Sequence, residues 1–373
     1  MIRHIQPCVQ LAAVALIGTA CRSPSEPVST ERVVWKAEGS TIAAPAVANG
    51  VVYFLTVSHA VLALDAVTGA PRWQAIAGSG SAAPPGRNLV VVGQNVIAPD
   101  NGVYAFDRTT GARRWAFLPA SGDMPGRFHL ATDGTRVFTG SPAGFAYALD
   151  PATGSALWTA DLASDNNSAV YSPVVDRGLV VVTLRHFTNP STGGVVALDA
   201  VSGAVRWRRD FPSTGSGRGS GSFGRAGFWG ELVIAASDDG TIYAMNRTDG
   251  TVAWVSPRPD FEETYNDQRP LAVIGDIIVV GSTRKVLTGL DAASGSERWR
   301  LPNPNSSVSY EIGRDGSRAY VVDADLYLRV VDPVAGTVVW TLGSQAGDFS
   351  PYPIVDGDRL FVGGLGGLYA LRR

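Results

Sequence analysis

Short apolar runs punctuate the chain, and they come in pairs separated by tight turns. VLALD (61–65), GVYAFD (102–107) and TIYAMN (241–246) alternate bulky with small or polar residues in the manner of half-buried strands. Each ends on Asp or Asn, passes through a turn that contains Gly, and leads into a second run that carries Trp. The Asp carboxylate can accept backbone N–H groups two residues on, and Gly supplies the positive φ that other residues resist. Ahead of each pair lies another hairpin. AVANGVVYFLT, LATDGTRVFTG, PVVDRGLVVVTL, AVIGDIIVVGS and IVDGDRLFVGG each place a Gly or Asp-Gly turn between apolar stretches. The pattern predicts four antiparallel strands per unit.

The unit repeats. A-x-D-x-x-x-G-x-x-x-W reads ALDAVTGAPRW to Trp73, AFDRTTGARRW to Trp115, ALDPATGSALW to Trp158 and ALDAVSGAVRW to Trp207. Looser copies end at Trp254, Trp299 and Trp340, and Trp35 stands alone near the start. From Trp35 onward the successive spacings are 38, 42, 43, 49, 47, 45 and 41 residues. All-strand repeats of about 40–50 residues are propeller blades, and a flat ring at one place in each blade can pack between neighbours, burying on the order of 200 Å². The last repeat stops at Arg372–Arg373 with three strands and no Trp, while RVVW at the start is a strand with nothing before it. Pairing the two termini completes an eighth blade and removes open edges. The expectation is an all-β, eight-bladed propeller over 31–373, closed by Val33, Val34 and Trp35 against Leu368–Leu371.

The A-x-D-x-x-T-G-x-x-x-W pattern, with Pro-bearing inner strands such as APAV and SPVV, resembles the pyrroloquinoline-quinone-like (PQQ-like) repeat family. That resemblance also implies eight blades. A WD-type propeller would need Asp after the Trp, and none of these tryptophans has it.

The first 20 residues read as a secretory signal, with Arg3, the apolar VQLAAVALIG and then Gly18-Thr19-Ala20. Cys21 follows directly. This resembles a bacterial lipoprotein signal, with Gly18 where that signal prefers Leu, and implies lipid attachment at Cys21. Residues 21–30 then form a Ser- and Pro-rich flexible tether. By the same resemblance, Arg22 in place of Asp implies the outer membrane, facing the periplasm. The second cysteine, Cys8, falls in the leader, so the propeller holds no thiol or disulfide. With 31 basic and 33 acidic residues and a net charge of −2, there is no sign of the basic stripe that nucleic acid requires.

The PQQ-like family includes quinoprotein dehydrogenases, which hold the quinone and a calcium ion on the axis with acidic ligands. Here the blades are near minimal length, and Asp65, Asp107, Asp150, Asp199, Asp291 and Asp332 read as turn residues. His59, His129 and His186 fall in separate blades without ligand spacing and read as loop or surface residues. The Gly-Ser-Gly-Arg-Gly-Ser-Gly run at 215–221 lacks the Lys-Ser/Thr of a phosphate cradle and reads as a loop. No catalytic, cofactor or metal residue is expected.

Irregular length collects in three segments, 184–194, 210–221 and 256–270, all on the face opposite the Asp-Gly turns. Variable loops on a rigid scaffold are the usual place for binding. Arg185, Phe187, Phe261, Glu262, Glu263 and Tyr265 are the expected partner-binding residues. A minimal propeller behind such a leader is similar to the BamB subunits of the outer-membrane β-barrel assembly machinery, which implies a non-enzymatic scaffold for an envelope protein. A propeller that binds a periplasmic ligand or polysaccharide is the alternative, and a PQQ-dependent dehydrogenase stands third.

Overall fold

The structure, a computed structural model, describes residues 32–41, 43–78, 87–119, 123–125, 129–162, 168–187, 192–212, 224–256, 271–282, 286–302, 312–343, 349 and 352–373. Its strands form eight antiparallel sheets, one per repeat, arranged as a ring of blades. We letter the strands of a blade A to D from the axis outward. In blade 1 these are Ala46–Ala48, Val51–Leu55, Ala60–Asp65 and Pro71–Ile76. Blade 8 is composite: Ile354–Asp356, Arg359–Gly364 and Gly367–Arg372 are joined on the outside by Val33–Ala37. Val33 pairs with Leu371, Trp35 with Ala370 and Ala37 with Leu368, across one bulge. The ring closes by the termini as the repeat count requires.

Blade 4 departs from the plan. Its A strand is split into Ser168–Val170 and Val174–Asp176, both paired with Leu179–His186. Pro173 lies in the gap, where it offers no N–H to the ladder.

The core lies between blades, not within them. Eight clusters of buried apolar side chains each join two neighbouring blades, and together they run once around the ring. In blade 1, Val51, Tyr53 and Leu55 face blade 2, whereas Val52 and Phe54 face blade 8. Strands B and C are therefore buried on both faces. This corrects the half-buried reading of runs such as VLALD: alternation assigns each residue to one seam or the other, and most of the side chains on both are buried. The outer D strands are the half-exposed ones, as in Val205–Asp210, where Trp207 turns inward between exposed neighbours.

The repeat motif works across the seams. Trp35, Trp73, Trp115, Trp158, Trp207, Trp254 and Trp299 each donate Nε1–H to the carbonyl that follows the motif Asp (Asn246 in blade 5) in the next blade, at 2.7–3.3 Å. Each ring also lies against the motif Gly of that turn. Trp158 and Trp207 are buried, and Trp115 is half-buried. Trp340 has no such turn ahead of it, because blade 8 ends in the N-terminal strand; the Arg32 guanidinium lies over its ring at 4.5 Å instead.

The Asp-Gly turns are built as the sequence suggests. Asp65 Oδ1 accepts the Val67 and Thr68 amides, while Oδ2 accepts Arg72 at 2.8 Å. The same pairing recurs as Asp199–Arg206 and Asp291–Arg298, both at 2.5 Å, and as Asp107–Arg114. These arginines, with the turn N–H groups, hold the Asp65, Asp107 and Asp199 carboxyls below the usual carboxylate range and bring Asp291 to about 2.

Candidate functional site

On the face formed by the B–C turns and D–A connections, blade 4 stands out. Its Leu179–His186 and Thr192–Asp199 strands are eight residues long, against four to six for the B and C strands elsewhere. At the end of this hairpin, Arg185 Nε lies 3.1 Å from Asp238 Oδ2 of blade 5, and that carboxylate is only 3% exposed. The pair fastens two blades. Phe187 is 48% exposed, with the Arg185 guanidinium 5.8 Å from its ring centre. Of the side chains expected to meet a partner, the structure brings these two together: it commits the Arg185 charge to the seam and leaves the Phe187 ring to solvent. Phe261, Glu262, Glu263, Tyr265 and Cys21 lie outside the described residues.

The histidines are not all surface groups. His59 is buried, with Nδ1 2.9 Å from Oδ1 of the buried Asp100 in the next blade. His129 is buried too, with Nδ1 2.6 Å from Ser172 Oγ and its ring edge-on to Tyr352 at 5.4 Å. Isolated spacing predicted a loop position, but the propeller folds these turns inward against the neighbouring blade, where a polar partner replaces water.

Along the axis, two adjoining cavities of about 280 and 410 Å³ share Asn88, Arg225 and Arg314 as walls. The smaller is otherwise lined mostly by Ala44, Pro45, Leu89, Ile312, Pro353 and Ile354, with His129 and Tyr352. Asn88 is a fixed part of the wall: its amide donates to Leu130 O at 3.0 Å and accepts Leu130 N–H at 2.7 Å. Arg314 donates to Val273 O of blade 6. Nothing in the sequence reading marked these residues. The available signal was Arg314 in IGRDG, at the end of an A strand, the one basic residue at a position held elsewhere by Ala48, Val92, Thr132, Asp176, Trp229, Ile274 and Asp356.

Burial, then the charges of Arg225 and Arg87, push the His129 pKa well below its ordinary value. The imidazole is thus neutral when folded, and the unfolded chain binds the extra proton first. Stability should therefore be full above about pH 6.5 and fall on acidification, by up to about 1.4 kcal/mol per pH unit for one proton. Thermal melts between pH 8 and 5 check this, and His129→Gln should flatten the curve.

The family described as "Outer membrane protein assembly factor BamB" matches the chain over residues 28–116, 99–185 and 184–327. The chain belongs to this family. No curated protein sequence matches it. Among solved structures, BamB from Moraxella catarrhalis is similar over 91% of this chain and 98% of its own, at 19% identity and TM-score 0.70. The computationally designed Ika8 protein matches over 92% of this chain and all of its own, at 17% identity and TM-score 0.73. A europium-containing methanol dehydrogenase matches over 91% of this chain and 87% of its own, at 14% identity and TM-score 0.67. At these identities the likeness concerns the fold. This BamB-family propeller gathers no three His, Cys, Asp or Glu side chains as a metal site among the described residues.

Proposed function

We propose that this BamB-family chain is a non-catalytic scaffold of the bacterial envelope, lipidated at Cys21, held at the outer membrane by residues 21–30, and bound to a protein partner of a barrel-assembly complex. The observation that carries this reading is the family match, which runs through 28–327 under the description of an outer-membrane assembly factor. The geometry supports it on the binding face: the long blade 4 hairpin ends on an exposed aromatic ring, Phe187, beside the seam-bound Arg185. An aromatic on a rigid hairpin is the kind of side chain that anchors protein interfaces.

The methanol dehydrogenase neighbour gives the second reading its footing. A quinone with calcium would need converging carboxylates on the axis. The one carboxylate among the described lining residues, Asp176, is engaged by Arg247 at 2.7 Å and Arg177 at 3.2 Å, so the described residues do not fit that group.

Capture of envelope proteins by the full lipidated chain, with mass spectrometry of its mature N-terminus, tests the proposal. Phe187→Ala, and Phe261→Ala with Tyr265→Ala, should leave the melting temperature unchanged and weaken partner capture, by more than about 1 kcal/mol for any hot spot. Dye-linked alcohol oxidation on addition of pyrroloquinoline quinone and calcium would overturn it, as would an unmodified Cys21 with no partner retained.

A further inference from the structure

The axis gathers positive charge in a confined space. Arg225, just before the A strand of blade 5, and Arg314, ending the A strand of blade 7, line both axial cavities. Arg87, beside the wall residue Asn88, donates Nη1–H to Tyr352 Oη at 3.0 Å on the rim of the smaller cavity. Arg314 makes no ion pair among the described residues; its one hydrogen bond goes to a backbone carbonyl. Its side chain is exposed at the cavity, and desolvation by the surrounding protein, reinforced by the Arg225 charge, lowers its pKa. A guanidinium nevertheless stays charged in a protein. Like charges that face a cavity walled largely by Ala, Pro, Leu and Ile repel more strongly than they would in water.

A counter-anion relieves that repulsion, and the shape of the groups says which kind. Guanidinium is a planar fork that meets two oxygens of a carboxylate or phosphate at once. At about 30 Å³ per water, a cavity of about 280 Å³ has room for roughly nine waters, enough for phosphate or a small polycarboxylate but not for a polymer. We propose that the axial cavity binds a small multivalent oxyanion between Arg225 and Arg314. The site lies on the axis and not on the outer loops, so this inference does not depend on the scaffold reading.

The test uses the full chain, titrated with inorganic phosphate, sulfate or citrate at constant ionic strength, with chloride as control. Binding to the folded state alone should raise the melting temperature logarithmically with anion concentration above Kd, by about 5 °C at a hundredfold excess over Kd. Calorimetry should give about one site. A response to phosphate and sulfate identifies a tetrahedral ligand, and one to citrate alone a carboxylate; either supports the proposal. Arg225→Gln and Arg314→Gln should each weaken binding by about tenfold or more, the loss of a charge-assisted pair. Arg206→Gln, on an exposed turn, should leave it intact. Arg314→Gln also gives up the hydrogen bond to Val273 O, so each variant's anion response is read against its own anion-free melt. Should a Gln variant fail to fold, Arg314→Lys keeps the charge, loses the fork, and should still bind more weakly. The bound anion also offsets the positive field at His129, so its ring should titrate at higher pH. No saturable binding by calorimetry and no melting shift beyond that of chloride with the three anions at millimolar concentration overturns the proposal, as does an undiminished shift in Arg225→Gln and Arg314→Gln.

Discussion

Deletion of residues 31–36 is expected to lower the melting temperature by on the order of 10 °C, or to cause outright aggregation. Three losses coincide there. Strand Val33–Ala37 is the outer strand of blade 8, and its removal strips the ladder partners of Ala370 and Leu371 and exposes the edge of Gly367–Arg372. Trp35 leaves the seam between blades 8 and 1, where it lies against Gly69, packs 5.8 Å from Phe361 and donates to Ala66 O. Arg32 leaves the Trp340 ring, the one motif tryptophan without a turn to dock on. Trp35 is half-buried, so its own share falls below the about 3–5 kcal/mol of a fully buried aromatic. The edge adds a kinetic hazard, because unpaired N–H and C=O groups recruit other chains. Differential scanning calorimetry and light scattering of the deletion protein read both effects. A melt equal to that of the full chain would mean the ring closes some other way.

The blade count and the composite blade were legible because each depends on local signals repeated many times. An Asp-Gly turn is specified within five residues, and a Trp at fixed offset marks the strand after it. The surplus strand at Val33–Trp35 and the missing one after Leu371 then leave a single consistent closure. What the sequence hid is set by contacts between blades. VLALD looks half-buried on its own, and only the neighbouring blade shows that its second face is covered too. Asp100 and Asp238 look like loop carboxylates until His59 and Arg185 arrive from 41 and 53 residues away. The axial arginines are harder still. Arg225 and Arg314 are 89 residues apart and belong to non-adjacent blades, so no spacing rule brings them together. Of the binding face, the sequence located the long blade 4 hairpin through its irregular length, yet it could not tell that Arg185 turns to the seam while Phe187 stays outside.

Substituting Gly203 with Ala is expected to cost about 3–5 kcal/mol, whereas Gly178→Ala should cost about 1–2 kcal/mol. The two glycines have the same backbone conformation, with φ of 73° and 76°. Each therefore imposes the same penalty on an L side chain, and that shared term cancels in the comparison. Their surroundings differ. A Cβ at Gly178 meets nothing within 4 Å, but one at Gly203 falls 2.6 Å from Trp158 Cδ2 and 2.8 Å from Cε3. The ring cannot easily retreat. It is 9% exposed, packs 5.9 Å from Phe138, and its Nε1–H is committed to Ala200 O at 3.1 Å. Moving it breaks that bond and opens the seam between blades 3 and 4. Trp158→Ala alone should cost about 3–5 kcal/mol. In that background the collision is gone, so Gly203→Ala should cost only its conformational share of about 1–2 kcal/mol. Chemical denaturation of the four proteins closes the cycle. Equal costs for Gly203→Ala and Gly178→Ala, or strict additivity with Trp158→Ala, would show that the motif glycine is required by its turn alone and not by the tryptophan of the preceding blade.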